Sequence, residues 1–325
     1  MDSLDLNFKN QPTASVGVAL LNWNGGEMTA ACVDSLRAGT LVPGRIVIVD
    51  NASVDGSAQW LAEKYLDVHF IRSEINRGFA GGNNMAIHYL LDAGVNFIWV
   101  LNNDTVVEKE CLRLLLEAMR QDVNVAACSG KILYENPPDR IWYAGATWRH
   151  WSLKSPHRGA LEIDRGQYER LEDVGFISGC CMFVRRSAFE TVGLFDEAFF
   201  AYCEDADWCL RAQRAGLRLR YVPQAVLRHK VSASMKKMYK SIGGGTTSPF
   251  SLYLLFRNRG FIVRKHAREP FQMIIATSVL LADAAYYAAG LLVLRRWAKF
   301  AALVRGLWDG VRYDLAVDKI ADIRD

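Results

Sequence analysis

Several large classes of protein are disfavoured by what this sequence lacks. Its seven cysteines (Cys32, Cys111, Cys128, Cys180, Cys181, Cys203 and Cys209) are an odd number, and none stands in a CxxC spacing. Neither a disulfide framework nor a zinc site is indicated, and buried free thiols are expected. No apolar run precedes Val16, so no signal peptide is expected and the reading is cytoplasmic. A net charge of +4 over 325 residues is too small to imply nucleic acid as a partner. No internal repeat or low-complexity tract is present. The first apolar run ends in Asn22-Trp23-Asn24-Gly25-Gly26-Glu27. This is not the GxGxxG turn of a nicotinamide enzyme, nor a glycine-rich basic loop that would hold a triphosphate.

What is present is a chain with 51% hydrophobic residues, enough for a large core. Val16 to Leu21, Arg45 to Asp50, Val68 to Arg72 and Phe97 to Leu101 are short apolar runs and predict strands. Segments of helical spacing separate them at Thr29–Ala38, Ser57–Tyr65 and Met85–Leu91, the last opened by a glycine-rich turn, Asn76–Asn84. A helix through Leu112–Met119 follows. This alternation predicts an α/β fold with a mostly parallel, Rossmann-like central sheet and helices on both faces. From Val125 to Arg186 the pattern breaks at Pro137-Pro138 and at an aromatic, basic stretch around Trp142, Tyr143, Trp148, His150 and Trp151. A hairpin or flexible insert is expected there, then a strand at Gly175–Val184, a helix at Glu204–Gly216, and two short strands at Leu217–Val222 and Ala225–His229. The division expected is a tail over 1–14, a catalytic domain over 15–235 (nucleotide half about 15–124, acceptor half about 125–235), and a helical region over 236–325.

The Phe97 strand runs straight into Asn102, Asn103 and Asp104. Ligands of open α/β sheets sit at the carboxyl ends of strands, and a carboxylate there suits a divalent metal carrying a diphosphate. His229, at the end of another strand, is an acceptable second ligand for Mn²⁺ or a similar cation. Asp50 also ends a strand, where it can accept from a base or ribose, or cap the next helix. Arg77 stands near a helix start, a place that attracts phosphate, though a plain turn arginine is equally compatible. Glu204, Asp205 and Asp207 open a helix after FDEAFFAYC. They either cap the helix dipole or include a general base.

The ordered set LLNWNGG, VDNASVDGS, NRGFAGGNN, LNNDT, GFISGCCMFVRR, LFDEAFFAYCEDADWCLRAQRAG and LRHKVSAS resembles glycosyltransferase family 2, of the GT-A fold, over roughly Val16 to Ser234. The run YLLFRNRGFIVRK resembles its bacterial rhamnosyltransferase-like members. The resemblance implies inverting transfer of a sugar, rhamnose from dTDP-rhamnose first among candidates, to a saccharide or polyprenyl-diphosphate-linked acceptor in surface polysaccharide synthesis. It places Asp104 as metal ligand for Mg²⁺ or Mn²⁺ with His229, and Asp205 as base with Glu204 beside it. Asn22, Asp50, Asn51, Arg77, Asn102, Asn103, Gly179 and Trp208 are placed around the donor sugar nucleotide. Asn102 replaces the first acidic residue of the family's DxD motif, which leaves room for a non-catalytic nucleotide-sugar-binding scaffold. A UDP-sugar donor is the other alternative.

Phe271 to Leu294 is apolar apart from Gln272 and Asp283 and is flanked by Arg and Lys. It is long enough to span a bilayer, although a central Asp costs roughly 2.5–3.5 kcal/mol on insertion scales. Trp297 to Tyr313 mixes Trp, Leu, Lys and Arg like an interfacial helix. Contact with an anionic membrane surface is expected; a helical pair packed on the domain is the alternative.

Overall fold

Apolar strands alternating with amphipathic helices fold here into one ten-stranded sheet with helices against it. The computed structural model describes residues 13–230 and 248–312. Residues 1–12 of the tail expected over 1–14, the end of the last motif at 231–234, and segments 235–247 and 313–325 lie outside the described residues; Thr13 and Ala14 open the first strand instead. β1 (Thr13–Asn22), β2 (Pro43–Asn51), β3 (His69–Ser73) and β4 (Phe97–Asn102) form a parallel block in the order β3-β2-β1-β4. α1 (Gly26–Arg37), α2 (Ser57–Lys64) and α3 (Gly78–Asp92) supply the crossovers. Val18, Leu20, Ile48, Trp99 and Val100 are completely buried at the centre.

Beyond β4 the pairings are mixed. β9 (Cys181–Arg185) runs antiparallel to both β4 and β6 (Val125–Tyr134). β10 (Arg218–His229) lies parallel to β6 and antiparallel to β5 (Thr105–Val107). α4 (Cys111–Arg120) packs Cys111, Leu112, Leu115, Leu116 and Met119 inward. Small strands β7 (Ile141–Tyr143) and β8 (Glu172–Val174) attach to β6 and β10.

Several elements depart from their expected bounds. Of the two expectations for 125–186, a hairpin or a flexible insert, β6 and β7 pair antiparallel as a hairpin does, and every residue of both is buried. The two strands expected over 217–229 are one, interrupted by a register shift between Val222 and Val226. The strand expected at 175 begins only at Cys181. The glycine-rich stretch is itself the start of α3. A Cβ on Gly82 would stand 2.3 Å from Leu21 Cδ1, and one on Gly78, at φ +69°, would stand 2.3 Å from the Phe200 carbonyl oxygen. These glycines serve close approach to neighbouring elements rather than a flexible turn.

After α5 (Arg186–Val192) and α6 (Glu204–Arg214), three further helices follow among the described residues: α7 (Pro249–His266), α8 (Pro270–Val293) and α9 (Trp297–Arg312). Leu252 and Phe256 of α7, Leu280, Ala284 and Leu291 of α8, and Leu303 of α9 form a separate small core. α8 is long and apolar enough to cross a membrane.

Candidate active site

Parallel pairing aligns the strand ends that the sequence singles out. Asn22 lies opposite Asp50, and Leu21 opposite Asn102. Asn22 and Asp50 are completely buried. Asn22 Nδ2 donates to Asp50 Oδ1 at 2.9 Å and to Ser57 Oγ at 2.9 Å, while the Ser53 N–H donates to Asp50 Oδ2 at 3.1 Å. Thr29 Oγ1 donates to Asn22 Oδ1 at 2.9 Å and accepts from Asn103 Nδ2 at 2.8 Å. Asn51 Oδ1 accepts the Arg77 N–H at 2.8 Å, fixing the start of α3, where the Arg77 side chain is exposed. Of the two roles expected for Asp50, acceptor for a base or ribose and local cap, the structure shows its carboxylate turned inward to Asn22 and to the Ser53 N–H.

At the far end of β10, His229 Nε2 stands 3.0 Å from Asp104 Oδ1. The Lys230 N–H donates to the Asp104 carbonyl at 2.7 Å, and the Trp142 ring meets His229 edge-on at 4.8 Å. His229 Nδ1 is buried without a hydrogen-bond partner. One carboxylate and one imidazole facing each other form a donor set that Mg²⁺ or Mn²⁺ accepts. Among the described residues no group of three or more His, Cys, Asp or Glu could hold a metal. The pair thus fits a cation whose other ligands come from substrate oxygens and water.

The carboxylates opening α6 differ in environment. Asp205 Oδ2 accepts the Gly179 N–H at 2.9 Å and Oδ1 accepts the Ala206 N–H at 2.8 Å. Burial nonetheless holds its carboxyl above the ordinary range. Burial and the Asp205 charge push Glu204 well above that range, and its Oε2 has no partner. Asp207 has the opposite balance. Burial opposes its ionisation, yet His266, Arg211 and Lys265 hold it down to about 2. Trp208, expected at the sugar, is instead completely buried and donates from Nε1 to the Gly193 carbonyl at 2.9 Å. Its ring fills the core because it lies on the inner face of α6. The thiols are all free, and burial pushes that of Cys32 up to about 12.

The loop before α6 turns through positive φ at Phe200, Tyr202 and Cys203, a conformation unfavourable for residues with side chains. Two buried residues of α7 hold it there. Asn258 Nδ2 lies within 2.7–2.8 Å of the carbonyls of Phe199, Ala201 and Tyr202, and Arg257 Nη2 donates to those of Ala198 and Phe199 at 2.8 and 3.0 Å. From the other side the Ala80 N–H of α3 donates to the Phe200 carbonyl at 3.0 Å. Sequence reasoning gave Arg257 and Asn258 no role. Their signal was a polar run, Arg257-Asn258-Arg259, between the apolar stretches 252–256 and 261–263.

A cavity of about 990 Å³ joins these parts. Asn102, Gly179, Glu204, Asp205 and His229 line it, and side chains of α7 and α8 form the facing wall. Asn22, Asp50, Asn51, Arg77, Asn103 and Asp104 are not among the residues lining it.

The family model for glycosyl transferase family 2 matches residues 16–193, more than half of the chain. The chain belongs to glycosyl transferase family 2. Among curated relatives, this family 2 chain is 31% identical to the low-salt glycan biosynthesis hexosyltransferase Agl10 of Haloferax volcanii, over 66% of this chain and 65% of that protein. It is 29% identical to the N-acetylglucosaminyl-diphospho-decaprenol L-rhamnosyltransferase of Mycobacterium tuberculosis, over 75% of this chain and 85% of that one. In fold it is similar to the mannosyltransferase PcManGT from Pyrobaculum calidifontis, solved with GDP-Man and Mn²⁺. That match has a TM-score of 0.54 at 16% identity and covers 95% and 91% of the two chains. The fold is GT-A.

Proposed function

We propose that the protein is a metal-dependent, inverting glycosyltransferase that moves rhamnose from dTDP-rhamnose to a hydroxyl of a lipid-linked acceptor in surface polysaccharide synthesis. The observation that carries this reading is that His229, which pairs with Asp104 at 3.0 Å, and the hydrogen-bonded Asp205 carboxylate line one cavity. The rhamnosyltransferase name of a relative aligned over most of its length supports the choice of sugar.

Asp104 and His229 hold the divalent ion. When bound, the ion neutralises charge on the leaving diphosphate. The linked side chains of Asn22, Asp50, Thr29 and Asn103 stiffen the strand ends beneath the nucleotide, Asn51 fixes the start of α3 at Arg77, and Asn102 and Gly179, which line the cavity, border the sugar. Asp205 takes the proton of the acceptor hydroxyl. That oxygen bonds to the anomeric carbon as the carbon–oxygen bond to the diphosphate breaks, and the diphosphate leaves with the electron pair. Burial raises the Asp205 carboxyl, and the N–H groups of Gly179 and Ala206 oppose that rise. Glu204, raised by burial and by the Asp205 charge, is neighbouring support rather than a second base.

The enzyme works at the inner face of the membrane without spanning it. Asp283, in the middle of α8, is ion-paired to Lys154 and to Arg259, and α8 lines the cavity. A spanning α8 would have to give up both. The outward residues Phe271, Ile274, Leu281, Trp297 and Trp308 are each more than half exposed and suit an interfacial position beside Arg295, Arg296 and Lys299.

The test is nucleotide release by the purified protein from dTDP- and UDP-sugars with Mn²⁺, with and without EDTA, in the presence of a lipid-linked acceptor. Metal-dependent release from dTDP-rhamnose is expected. Release from a UDP-sugar alone would overturn the donor, and absence of any nucleotide binding would overturn the function.

A further inference from the structure

The cavity has two chemically unlike walls. One carries Glu204 and Asp205. On the other, Ala276, Leu280, Asp283 and Tyr287 of α8 follow the i, i+4, i+7, i+11 spacing of a single helix face. That face is apolar except at Asp283. One oxygen of Asp283 is shared by two cations: Lys154 Nζ and Arg259 Nη2 each stand 2.5 Å from Oδ2. Arg149 lines the same cavity. Three cations against one carboxylate leave this wall electropositive. The side chains of Lys154, Asp283 and Arg259 are 33%, 30% and 23% exposed, so the group borders solvent-accessible space.

Under the reading given above the donor diphosphate is assigned to Asp104 and His229, at the ends of β4 and β10, whereas these cations come from α7 and from the segment carrying Arg149 and Lys154. A free saccharide acceptor needs neither cations nor an apolar helix face. A ligand that matches both is an acceptor with a diphosphate between its sugar and an apolar chain. The outer side of α8 carries exposed Ile274 and Leu281, so a chain leaving the cavity over this helix meets apolar surface.

We propose that Arg149, Lys154 and Arg259 form the binding site for the diphosphate of a prenyl-diphosphate-linked acceptor, with Ala276, Leu280 and Tyr287 against the first units of its chain. This rests on the glycosyl-transfer reading for its meaning but not for its test. Asp283 is the internal stand-in for the anion: it holds two long side chains in place, and phosphate oxygens take over its partners on binding. The sugar beyond the diphosphate then faces Asp205 across the cavity.

The probe is farnesyl diphosphate, titrated into the full chain with its nucleotide site first saturated by dTDP and Mn²⁺. Binding is expected under that condition, with farnesol and inorganic pyrophosphate each binding more weakly. Lys154→Ala and Arg259→Ala are expected to weaken it by about tenfold or more each while leaving dTDP affinity unchanged, which also reports that the variants are folded. Asp283→Asn, which removes the competing charge, is expected to tighten it. Wild-type affinity in both cation variants, or displacement of farnesyl diphosphate by dTDP, would overturn the site. Phosphatidylglycerol vesicles are the second arm: competition with farnesyl diphosphate that depends on Lys154 and Arg259 would reassign the cations to lipid headgroups and overturn the proposal. Triad-dependent farnesyl diphosphate binding in a protein that releases no nucleotide from any sugar donor would leave the site standing and remove the glycosyltransferase reading.

Discussion

The Gly179 N–H donates to Asp205 Oδ2 at 2.9 Å, joining the turn before β9 to the first turn of α6. The contact aims a carboxylate into the cavity and offsets part of the cost of burying its charge. Asp205→Asn keeps the shape and removes the base. Turnover is expected to fall by about 10²–10⁴-fold with donor affinity retained, as steady-state kinetics and dTDP titration would read.

Glu204 Oε2 has no hydrogen-bond partner, and burial together with the Asp205 charge raises its carboxyl well above the ordinary range. A carboxyl raised in the folded state loses stability as pH rises through its folded value, since ionisation then forces a charge into the interior. Glu204→Gln mimics the neutral form. It is expected to stabilise the protein at pH 8 by about 1 kcal/mol, less at pH 5, and to leave turnover within a few-fold. A thermal melt at both pH values checks the difference. A loss of turnover as large as that of Asp205→Asn would make Glu204 the base.

Asn258 and Arg257 hold a loop with three positive-φ residues against α7. Asn258→Ala leaves the carbonyls of Ala201 and Tyr202 without this donor, at a cost of roughly 1–3 kcal/mol. It also frees the loop that carries Cys203 into Glu204 and Asp205. The expected result is a lower kcat with little change in donor KM, measured beside a denaturation curve. An equal change in both parameters would show that the loop does not position the base.

Asp207 binds His266 Nε2 at 2.7 Å, Lys265 Nζ at 2.9 Å and Arg211 Nε at 2.8 Å. Its carboxyl, held down to about 2, contributes stability that is full above the ordinary value near 4 and lost as pH falls toward 2. The contribution is about 2 kcal/mol. His266, lowered by burial, adds a loss in the same direction below its ordinary value of about 6.5. Acid unfolding should therefore begin at the α6–α7 contact, and Asp207→Asn should flatten the stability curve between pH 4 and 2 in denaturant titrations.

His229 and Asp104 face each other at 3.0 Å, and His229 is the sole imidazole of the proposed metal pair. EDTA is expected to abolish turnover and Mn²⁺ to restore it. His229→Ala should raise the Mn²⁺ concentration needed for half-maximal rate by about tenfold or more, as a metal titration of activity would show. An unchanged requirement would remove His229 from the metal site.

The parallel block and the position of Asn102-Asn103-Asp104 at a strand end were legible because strand and helix periods are local properties of the chain. The same holds for the helix opened by Glu204 and for the long apolar α8. The region from Val125 to Arg186 was less so. β6 is buried on both faces and carries no alternation, and Trp142 and Tyr143 are packed against the sheet while His150 and Trp151 are exposed. The glycines at 78, 81 and 82 read as a turn because sequence shows that Cβ is missing but not which neighbour needs the space.

By itself the sequence determined the order of elements and the chemical kinds of group at the strand ends, since hydrophobic period and turn residues act over a few positions. Only the tertiary structure decided which of those groups face a ligand. It turned Asp50 and Trp208 inward, set Asp205 against Gly179, and brought Lys154 and Arg259 to one oxygen of Asp283. Each of these depends on pairing residues from 15 to 129 positions apart. Burial and charge at such meetings follow from packing the whole chain, and no short stretch of it carries them.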